Sequence, residues 1–191
     1  MTDRPEGRPS ADPDAELVAT AQRELPYRTK AFESLMLRHQ SLLYQVCLRL
    51  LGNAADAQDV SQEVMVKAFG ALPRFEGRAK FRTWLMRIAT NTCHSMRQRL
   101  KRQRDMAQVL SEQQDLDHNT QEQPSGADQQ LDTQTLLAEL PEEDRMLLTL
   151  RYVADLKFEE IAEISGLKLS ATKMRIYRAA EKLRDVANRF G

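Results

Sequence analysis

The chain has 191 residues with 28 basic and 28 acidic side chains, and 41% of its residues are apolar. This composition suits one or two small helical domains and excludes a membrane-spanning protein, because no apolar run approaches the roughly 20 residues that a spanning helix needs. The polar start of the chain, residues 1–14, lacks the apolar segment of a secretion signal, so we expect a cytoplasmic protein.

The first half of the chain has apolar residues at helical spacing. The pattern predicts a helix that ends at Gly52, a second helix over about residues 54–70, and a long third helix that begins at Phe81. A basic loop over residues 74–80 separates the second helix from the third. We therefore expect an N-terminal helical domain that spans residues 15–104.

The balanced net charge hides an uneven distribution along the chain. Residues 74–104 contain ten Lys or Arg and one Glu, and residues 168–189 contain seven Lys or Arg and two acids. Two basic surfaces of this kind indicate nucleic-acid binding. Residues 105–140 contain eight acids and no Lys or Arg. This segment predicts a flexible acidic linker over 105–133, which either stays apart from the basic domains or lies along one of them as a DNA mimic.

The last part of the chain, residues 134–191, predicts a helix-turn-helix domain after two short helices. Ala162 is small enough for a second helix to cross closely, and Gly166 can adopt the positive φ of a tight turn. Ser170 is a favourable N-cap for the second helix of the motif. That helix carries five basic residues, namely Lys173, Arg175, Arg178, Lys182 and Arg184. The pattern is typical of a recognition helix that enters a major groove.

The sequence does not indicate an enzyme, a metal site or a cofactor. Cys47 and Cys93 lack the spacing of a thiolate metal site, and we expect both to be buried helix residues. A nuclease would need clustered carboxylates or histidines, whereas the histidines are scattered. Asp56, Asp59 and Glu63 have metal-like spacing but no histidine partner. We therefore expect a binding protein without a small-molecule substrate.

The residues alone leave the class of DNA-binding protein open. One class is a dimeric helix-turn-helix regulator, whose N-terminal domain would bind an effector or a second subunit. Such a protein would bind a palindromic duplex without RNA polymerase.

Six short motifs favour a different class. They are DVSQE at 59–63, FEG at 75–77, FRTWL at 81–85, IATN at 88–91, LP at 140–141 and FEEIA at 158–162. In this order, over residues 31–189, they resemble extracytoplasmic function (ECF) sigma factors of the sigma-70 family. The resemblance implies an all-α fold with two small helical domains and an acidic linker. It also implies an alternative sigma factor that binds bacterial core RNA polymerase and promoter DNA.

The resemblance implies three sets of contact residues. The second helix would dock on the clamp helices of the largest polymerase subunit through Asp56, Asp59, Gln62 and Glu63. Val64 or Met65 would add apolar contact. The loop and the long helix would hold the melted −10 strand and one flipped base through Phe75, Arg78, Lys80, Phe81, Arg82, Arg87, Asn91 and Arg97. The helix-turn-helix would contact the −35 element through Ser170, Lys173, Met174, Arg175, Tyr177 and Arg178.

The recognition helix departs from the family at two places. Residues 170–172 are Ser, Ala and Thr where the family commonly has Gly, Thr and Val, and Met174 replaces a serine. Thr172 keeps a β-branched shape, so we expect the fold to survive. The thioether of Met174 predicts a −35 sequence that differs from the usual one.

The resemblance also implies an anti-sigma factor, which in this family is often anchored in a membrane.

Overall fold

The computed structural model describes residues 12–112 and 133–190. Within these ranges the chain forms eight α-helices and no strand, which confirms the all-α fold class. The helices are α1 (Ala15–Glu24), α2 (Lys30–Leu51), α3 (Ala54–Ala71), α4 (Phe81–Glu112), α5 (Thr133–Ala138), α6 (Glu142–Leu148), α7 (Phe158–Ser165) and α8 (Leu169–Phe190). No helix in the described ranges is long and apolar enough to cross a membrane.

The expected linker overlaps the end of α4. This helix continues to Glu112, so residues 105–112 are helical. Residue 133, the last of the expected linker, begins α5. Residues 113–132 lie outside the described residues, and so do the predicted flexibility of the linker and its possible contact with a basic surface.

The N-terminal domain consists of α1–α4 around an apolar core. Its second, third and fourth helices match the three helices that the sequence predicts. Asn53 begins α3, because its side-chain oxygen accepts a hydrogen bond from the N–H of Asp56 at 2.7 Å. Leu43, Val64 and Leu85, from three different helices, are fully buried in the core. Each such side chain contributes about 1.5–3 kcal/mol through burial.

The two cysteines lie side by side in this core. Cys47 of α2 and Cys93 of α4 are both buried, as predicted. The hydrogen bond with Cys93 lowers the pKa of Cys47, and the same hydrogen bond together with burial raises the pKa of Cys93. Because both side chains are buried between α2 and α4, the thiols act as packing groups. Among the described residues, no group of three His, Cys, Asp or Glu side chains is placed to hold a metal ion.

The residues just before α1 bind to the rest of the domain, a feature that the sequence pattern did not predict. Asp14 is buried and lies 2.7 Å from Nε2 of His39 and 3.2 Å from Nη1 of Arg38. Asp12 accepts a hydrogen bond from the N–H of Phe81 at 2.7 Å and so caps the start of α4. Asp12, which precedes α1, thus fixes the start of α4 and the end of the basic loop before it.

The C-terminal domain contains the predicted helix-turn-helix. Gly166 joins α7 to α8 with a φ of 71°, the left-handed conformation that the turn requires. The Lys168 carbonyl accepts a hydrogen bond from the N–H of Thr172 at 2.9 Å, and α8 begins at Leu169. Ser170 therefore lies inside the first turn of α8, and its predicted role as N-cap is wrong.

The two domains pack directly against each other. Before α7, the helix α6 continues into a π-helical turn over Thr149–Val153. This turn and α6 contact α2, and α7 contacts α4. The buried apolar residues of both domains form one continuous core. As a result, α2 and α4 present one side to their own domain and another side to the C-terminal domain.

Candidate nucleic-acid interface

An acidic face runs along the exposed side of α3. Asp59, Gln62 and Glu63 are exposed, and Asp56 is half-buried. Glu63 pairs with Lys67 at 2.7 Å on the same helix. These residues are spaced by three and four positions, which places them on one side of the helix.

The exposed apolar side chain beside the acidic face belongs to Val66, and not to Val64 or Met65, which the family resemblance implied. Val64 is fully buried in the core and Met65 is half-buried. Val66, in contrast, is 72% exposed. Because Val66 follows Glu63 by three positions, it lies beside the acidic face and can add an apolar contact to a partner.

A cleft lies between α1 and the basic loop of residues 74–80. Its volume is about 500 Å³, and Gln22, Phe75, Arg78 and Lys80 are among the residues that line it. Gly77 gives the loop its bend through a φ of 69°. The Gln22 amide holds the loop by donating to the carbonyl of Phe75 at 2.6 Å. Glu76 also lines the cleft, and its Oε2 lies 2.6 Å from Nε of Arg78. The cleft therefore offers an aromatic ring, the cation of Lys80 and an ion pair to a flat polar group.

Two aromatic residues of α4 support this loop from below. Phe81 is completely buried, so it belongs to the core and cannot stack on a base in this structure. Its burial therefore argues against the predicted contact with DNA. Trp84 is half-buried, as its position on the apolar face indicated, and its ring lies 5.0 Å from that of Phe75. The Phe75 ring is thereby held at the edge of the cleft.

The remaining residues expected to contact the −10 strand lie along a different side of α4. Asn91 is exposed and lines a second cleft of about 470 Å³, which is shared with the C-terminal domain. Arg97 lines the same cleft. Arg82 and Arg87 point to α7 and the turn before it, where they donate hydrogen bonds to backbone carbonyls. The structure thus divides the expected −10 residues between the loop cleft and this second side of α4.

The exposed face of α8 contains most of the expected −35 residues. Met174 is 53% exposed and Tyr177 is 56% exposed, and Arg178 is exposed beside them. Ser170 is exposed one turn earlier. Lys173 is half-buried, with its ammonium group 5.7 Å from the centre of the Phe158 ring. These side chains form a surface with two cations, a phenol, a thioether and a hydroxyl.

Arg175 points away from that surface. Its guanidinium binds Glu143 and Asp144 of α6, with Nε 2.8 Å from the Asp144 carboxylate. Hydrogen bonding to Asp144 raises the pKa of Arg175 despite its partial burial. Of the expected −35 residues, Arg175 therefore has an internal partner in this structure. The signal that distinguishes it is its spacing of three positions from Thr172 and four from Ala179, which are both fully buried.

The unusual Thr172 is compatible with the fold. Its side chain is fully buried, and its hydroxyl donates to the carbonyl of Lys168 at 3.2 Å. The β-branched shape fills the core position, while the hydroxyl finds a partner within the first turn of the helix. The expectation that the helix-turn-helix forms with this residue is confirmed.

Family models match both halves of the chain. The model of sigma-70 region 2 matches residues 35–103, which include the acidic face, the loop and most of α4. The model of sigma-70 region 4 matches residues 130–183, which include the helix-turn-helix.

Relatives span most of this chain and of their own. RNA polymerase sigma-H factor of Pseudomonas aeruginosa is 32% identical over 179 residues, which cover 89% of this chain and 91% of the relative. ECF RNA polymerase sigma factor SigW of Bacillus subtilis is 30% identical over 166 residues, which cover 81% and 87%. ECF RNA polymerase sigma-E factor of Escherichia coli K12 is 31% identical over 163 residues, which cover 81% and 85%.

Solved structures share the fold. CnrH, in complex with the cytosolic domain of CnrY, matches with a TM-score of 0.67 and 26% identity over 92% of this chain and 97% of its own. The sigma factor RpoE of Bartonella quintana, in complex with the anti-sigma factor NepR, matches with a TM-score of 0.65 over 83% of this chain and 98% of its own. Its identity is 24%, so this second likeness concerns the fold alone. Since the two matched regions, the helical fold and the relatives agree, the chain belongs to the ECF sigma factors of the sigma-70 family.

Proposed function

We propose that the protein acts as an alternative sigma factor that binds bacterial core RNA polymerase and directs initiation at promoters with a −10 and a −35 element. The observation that carries this proposal is the combination, in one chain, of an exposed acidic helix face with two separate basic surfaces. A protein that only binds duplex DNA needs neither the acidic face nor a cleft for a single base. The protein acts by binding and not by catalysis, in the cytoplasm, where polymerase transcribes the chromosome.

The acidic face of α3 is the proposed polymerase contact. Its exposed members, Asp59, Gln62 and Glu63, offer carboxylates to basic residues on the polymerase, and Val66 adds apolar area at the edge. Charge complementarity of this kind speeds association and fixes the register of docking.

The loop cleft is the proposed site for a flipped −10 base. Removing a base from the stack costs a few kcal/mol, which stacking and hydrogen bonds in a pocket must offset. Phe75 would supply an aromatic edge. Lys80 would contact a flanking phosphate, and so would Arg78 once it leaves Glu76, its ion-pair partner in this structure. Arg82, Arg87, Asn91 and Arg97 would follow the strand along α4 once that side of the helix is free.

The exposed face of α8 is the proposed −35 contact. Arg178 can donate to guanine edges or phosphates, and Tyr177 can donate to a phosphate. Met174 offers only apolar contact, which suits a thymine methyl group better than a hydrogen-bonding edge. Ser170 and Lys173 lie on the flank of this face and would contact the DNA backbone.

An anti-sigma factor is a further proposed partner. CnrH was solved in complex with the cytosolic domain of CnrY, and the sigma factor RpoE was solved in complex with the anti-sigma factor NepR. Exposed apolar residues on this chain, such as Leu37 and Tyr152, offer area for such a partner. In this family the partner is often anchored in a membrane.

The test of the proposed function combines purified protein, core RNA polymerase and fragmented genomic DNA of the source organism, followed by mapping of RNA 5′ ends. We expect new start sites that share two spaced upstream elements. The matched control is the Arg178→Ala variant, which should retain polymerase binding but lose starts that depend on the −35 element. If the protein neither binds core polymerase nor creates new starts, and instead retains a palindromic duplex alone, it is a dimeric regulator.

A further inference from the structure

The middle of the basic loop over residues 74–80 faces solvent. Glu76, Gly77 and Arg78 are all exposed, so the loop has no buried side chain at its centre. An exposed segment that contains glycine samples many conformations unless other elements of the fold hold it. The shape of the loop cleft therefore depends on contacts that the ends of the loop make with the rest of the domain.

Gln22 of α1 holds the beginning of the loop. Its Nε2 donates to the carbonyl oxygen of Leu72 at 3.0 Å and to that of Phe75 at 2.6 Å. A primary amide has two N–H groups, so both of them are used on backbone carbonyls. Leu72 and Phe75 lie on either side of the short turn that follows α3. One side chain thus fixes the direction in which the chain leaves α3 and enters the loop.

Asp12 holds the other end of the loop. Its Oδ2 accepts a hydrogen bond from the N–H of Phe81 at 2.7 Å, and its Oδ1 accepts one from the N–H of Asp14 at 3.0 Å. Residues 12–22 therefore anchor the chain both before and after the exposed part of the loop. The model of sigma-70 region 2 matches this chain only from residue 35 onward, so the anchoring segment lies outside that region.

The same segment forms one wall of the loop cleft. All the residues from 75 to 80 line one side of it, and the α1 residues that line it are Ala15, Val18, Ala19 and Gln22. Their spacing of three and four positions places them on one side of α1. Ala15 and Ala19 are exposed and small. The width of the cleft is therefore set by the distance between α1 and the loop, which the contacts of Gln22 and Asp12 fix.

We propose that α1 is the fixed wall of the loop cleft and that Gln22 is a positioning residue that determines which base the cleft accepts. The inference rests on the proposed function of the cleft as the site of a flipped −10 base. A pocket discriminates by shape only when its walls keep one separation, and a displacement of about 1 Å is enough to lose the fit. Gln22 acts through the backbone of Phe75, and so through the position of the aromatic ring.

The base preference of the holoenzyme tests this role. Gln22→Met keeps the length of the side chain but removes both N–H groups. Core polymerase with this variant would transcribe promoters from start-site mapping whose −10 elements have been randomised, and sequencing of the RNA would give the base preference at each position. We expect the preference at one −10 position to fall about tenfold, with the other positions and the −35 sequence unchanged.

The matched control is Thr20→Val. It removes a hydrogen bond of 2.9 Å that stays within α1, from the Thr20 hydroxyl to the carbonyl of Glu16. This variant should keep the wild-type preference at every position. If Gln22→Met lowers transcription from all promoters equally and leaves every base preference unchanged, Gln22 has only a structural role and the proposal is wrong.

A second pair of variants tests the wall without touching the anchors. Ala19→Leu should narrow the cleft, whereas Ala19→Ser changes the same exposed position with little change in volume. We expect only the leucine variant to change the base preference, and to change it at the same −10 position as Gln22→Met. If the leucine variant keeps the wild-type preference, α1 is not a wall of the base site. This pair also decides the matter if Gln22→Met does not fold.

Hydrogen exchange of the free chain separates this proposal from the proposed function. The amides of residues 76–80 should exchange about tenfold faster in Gln22→Met than in Thr20→Val, because the loop has lost its anchor. Equal exchange in the two variants would show that Gln22 does not hold the loop, whatever the promoters do. If the wild-type chain creates no start sites, the proposed function and the base preference fail together, and the exchange rates still decide whether Gln22 positions the loop.

Discussion

The carboxylate of Asp144 on α6 accepts a hydrogen bond from Nε of Arg175 on α8 at 2.8 Å. Its other oxygen lies 2.9 Å from Nζ of Lys182, and Asp144 is only 4% exposed. Because residues 175 and 182 are seven positions apart, both bonds hold the same side of α8. One buried carboxylate therefore sets the rotation of the recognition helix and directs Tyr177 and Arg178 to solvent.

Replacing Asp144 should destabilise the protein. The Asp144→Asn variant would leave two cations beside a neutral amide, and we expect the free energy of unfolding to fall by about 3 kcal/mol. Urea denaturation would measure the change. The control is Glu143→Gln, which removes an exposed partner of Arg175 and should cost less than about 1 kcal/mol. Equal losses in the two variants would contradict the role of burial.

The contacts of Asp144 with Arg175 and Lys182 also predict a pH dependence of stability. Burial raises the pKa of Asp144, whereas the hydrogen bonds and charges of Arg175 and Lys182 lower it. Their combined effect is larger than that of burial, so the pKa lies below its ordinary value of 3.8. Stabilisation from a lowered carboxyl pKa is present above the ordinary value and is lost as the pH falls through the folded value. The stability difference between wild type and Asp144→Asn should therefore be constant from about pH 7 to 5 and shrink below about pH 4.

A change at Met174 should alter promoter choice without affecting the fold. Met174 is half exposed on α8, so Met174→Ser removes no core contact and should change stability by less than about 0.5 kcal/mol. A hydroxyl donates and accepts hydrogen bonds, whereas a thioether is only a weak acceptor. We expect the −35 sequence deduced from mapped start sites to shift at one or two positions. An unchanged −35 sequence would show that residue 174 does not contact a base.

Neutralising the acidic face of α3 should weaken polymerase binding. The Asp59→Asn, Glu63→Gln double variant removes two exposed carboxylates, and we expect about a tenfold loss of affinity for core polymerase, or about 1.4 kcal/mol. Competition against the wild-type chain would measure it. The matched control is Glu16→Gln, Glu33→Gln, with the same charge change elsewhere in the domain. A similar loss in the control would assign the effect to net charge.

Asn91 should act in promoter opening. Asn91→Ala removes an exposed amide from α4, so it should leave closed-complex formation unchanged and reduce the open fraction. Permanganate reactivity of unpaired thymines would report opening, and gel mobility would report closed binding. Ser95→Ala, at an exposed position one turn later, is the control. Equal loss of both activities would contradict a role with the separated strand.

The sequence predicted the helices well because their signals are local. Apolar spacing, Gly52, Gly166 and the loop before Phe81 each act within one or two turns of chain. It predicted the contact sets less well, because exposure depends on distant partners. Phe81 resembles a stacking residue in its motif but is buried in the core, and Arg175 resembles a DNA contact but binds Asp144.

The domain interface and the contacts of the residues just before α1 could not be predicted in this way. Asp14 meets His39 across 25 positions, and Arg82 meets Asp155 across 73. Nothing in the spacing of a single helix records such pairs. The same holds for the ion pairs that join acids of α6 and α7 to cations of α4.

The continuous core has a consequence for how the protein melts. Although family models divide the chain into two regions, α2 and α4 are covered on one side by the C-terminal helices. Elements that share buried apolar contacts lose them together, so a heat capacity scan of the free chain should show one cooperative peak. If core polymerase holds the two regions apart, each region needs the enzyme to cover the apolar surface that the other region covers in the free chain. Binding to polymerase would then replace apolar contacts within the sigma factor by apolar contacts with the enzyme.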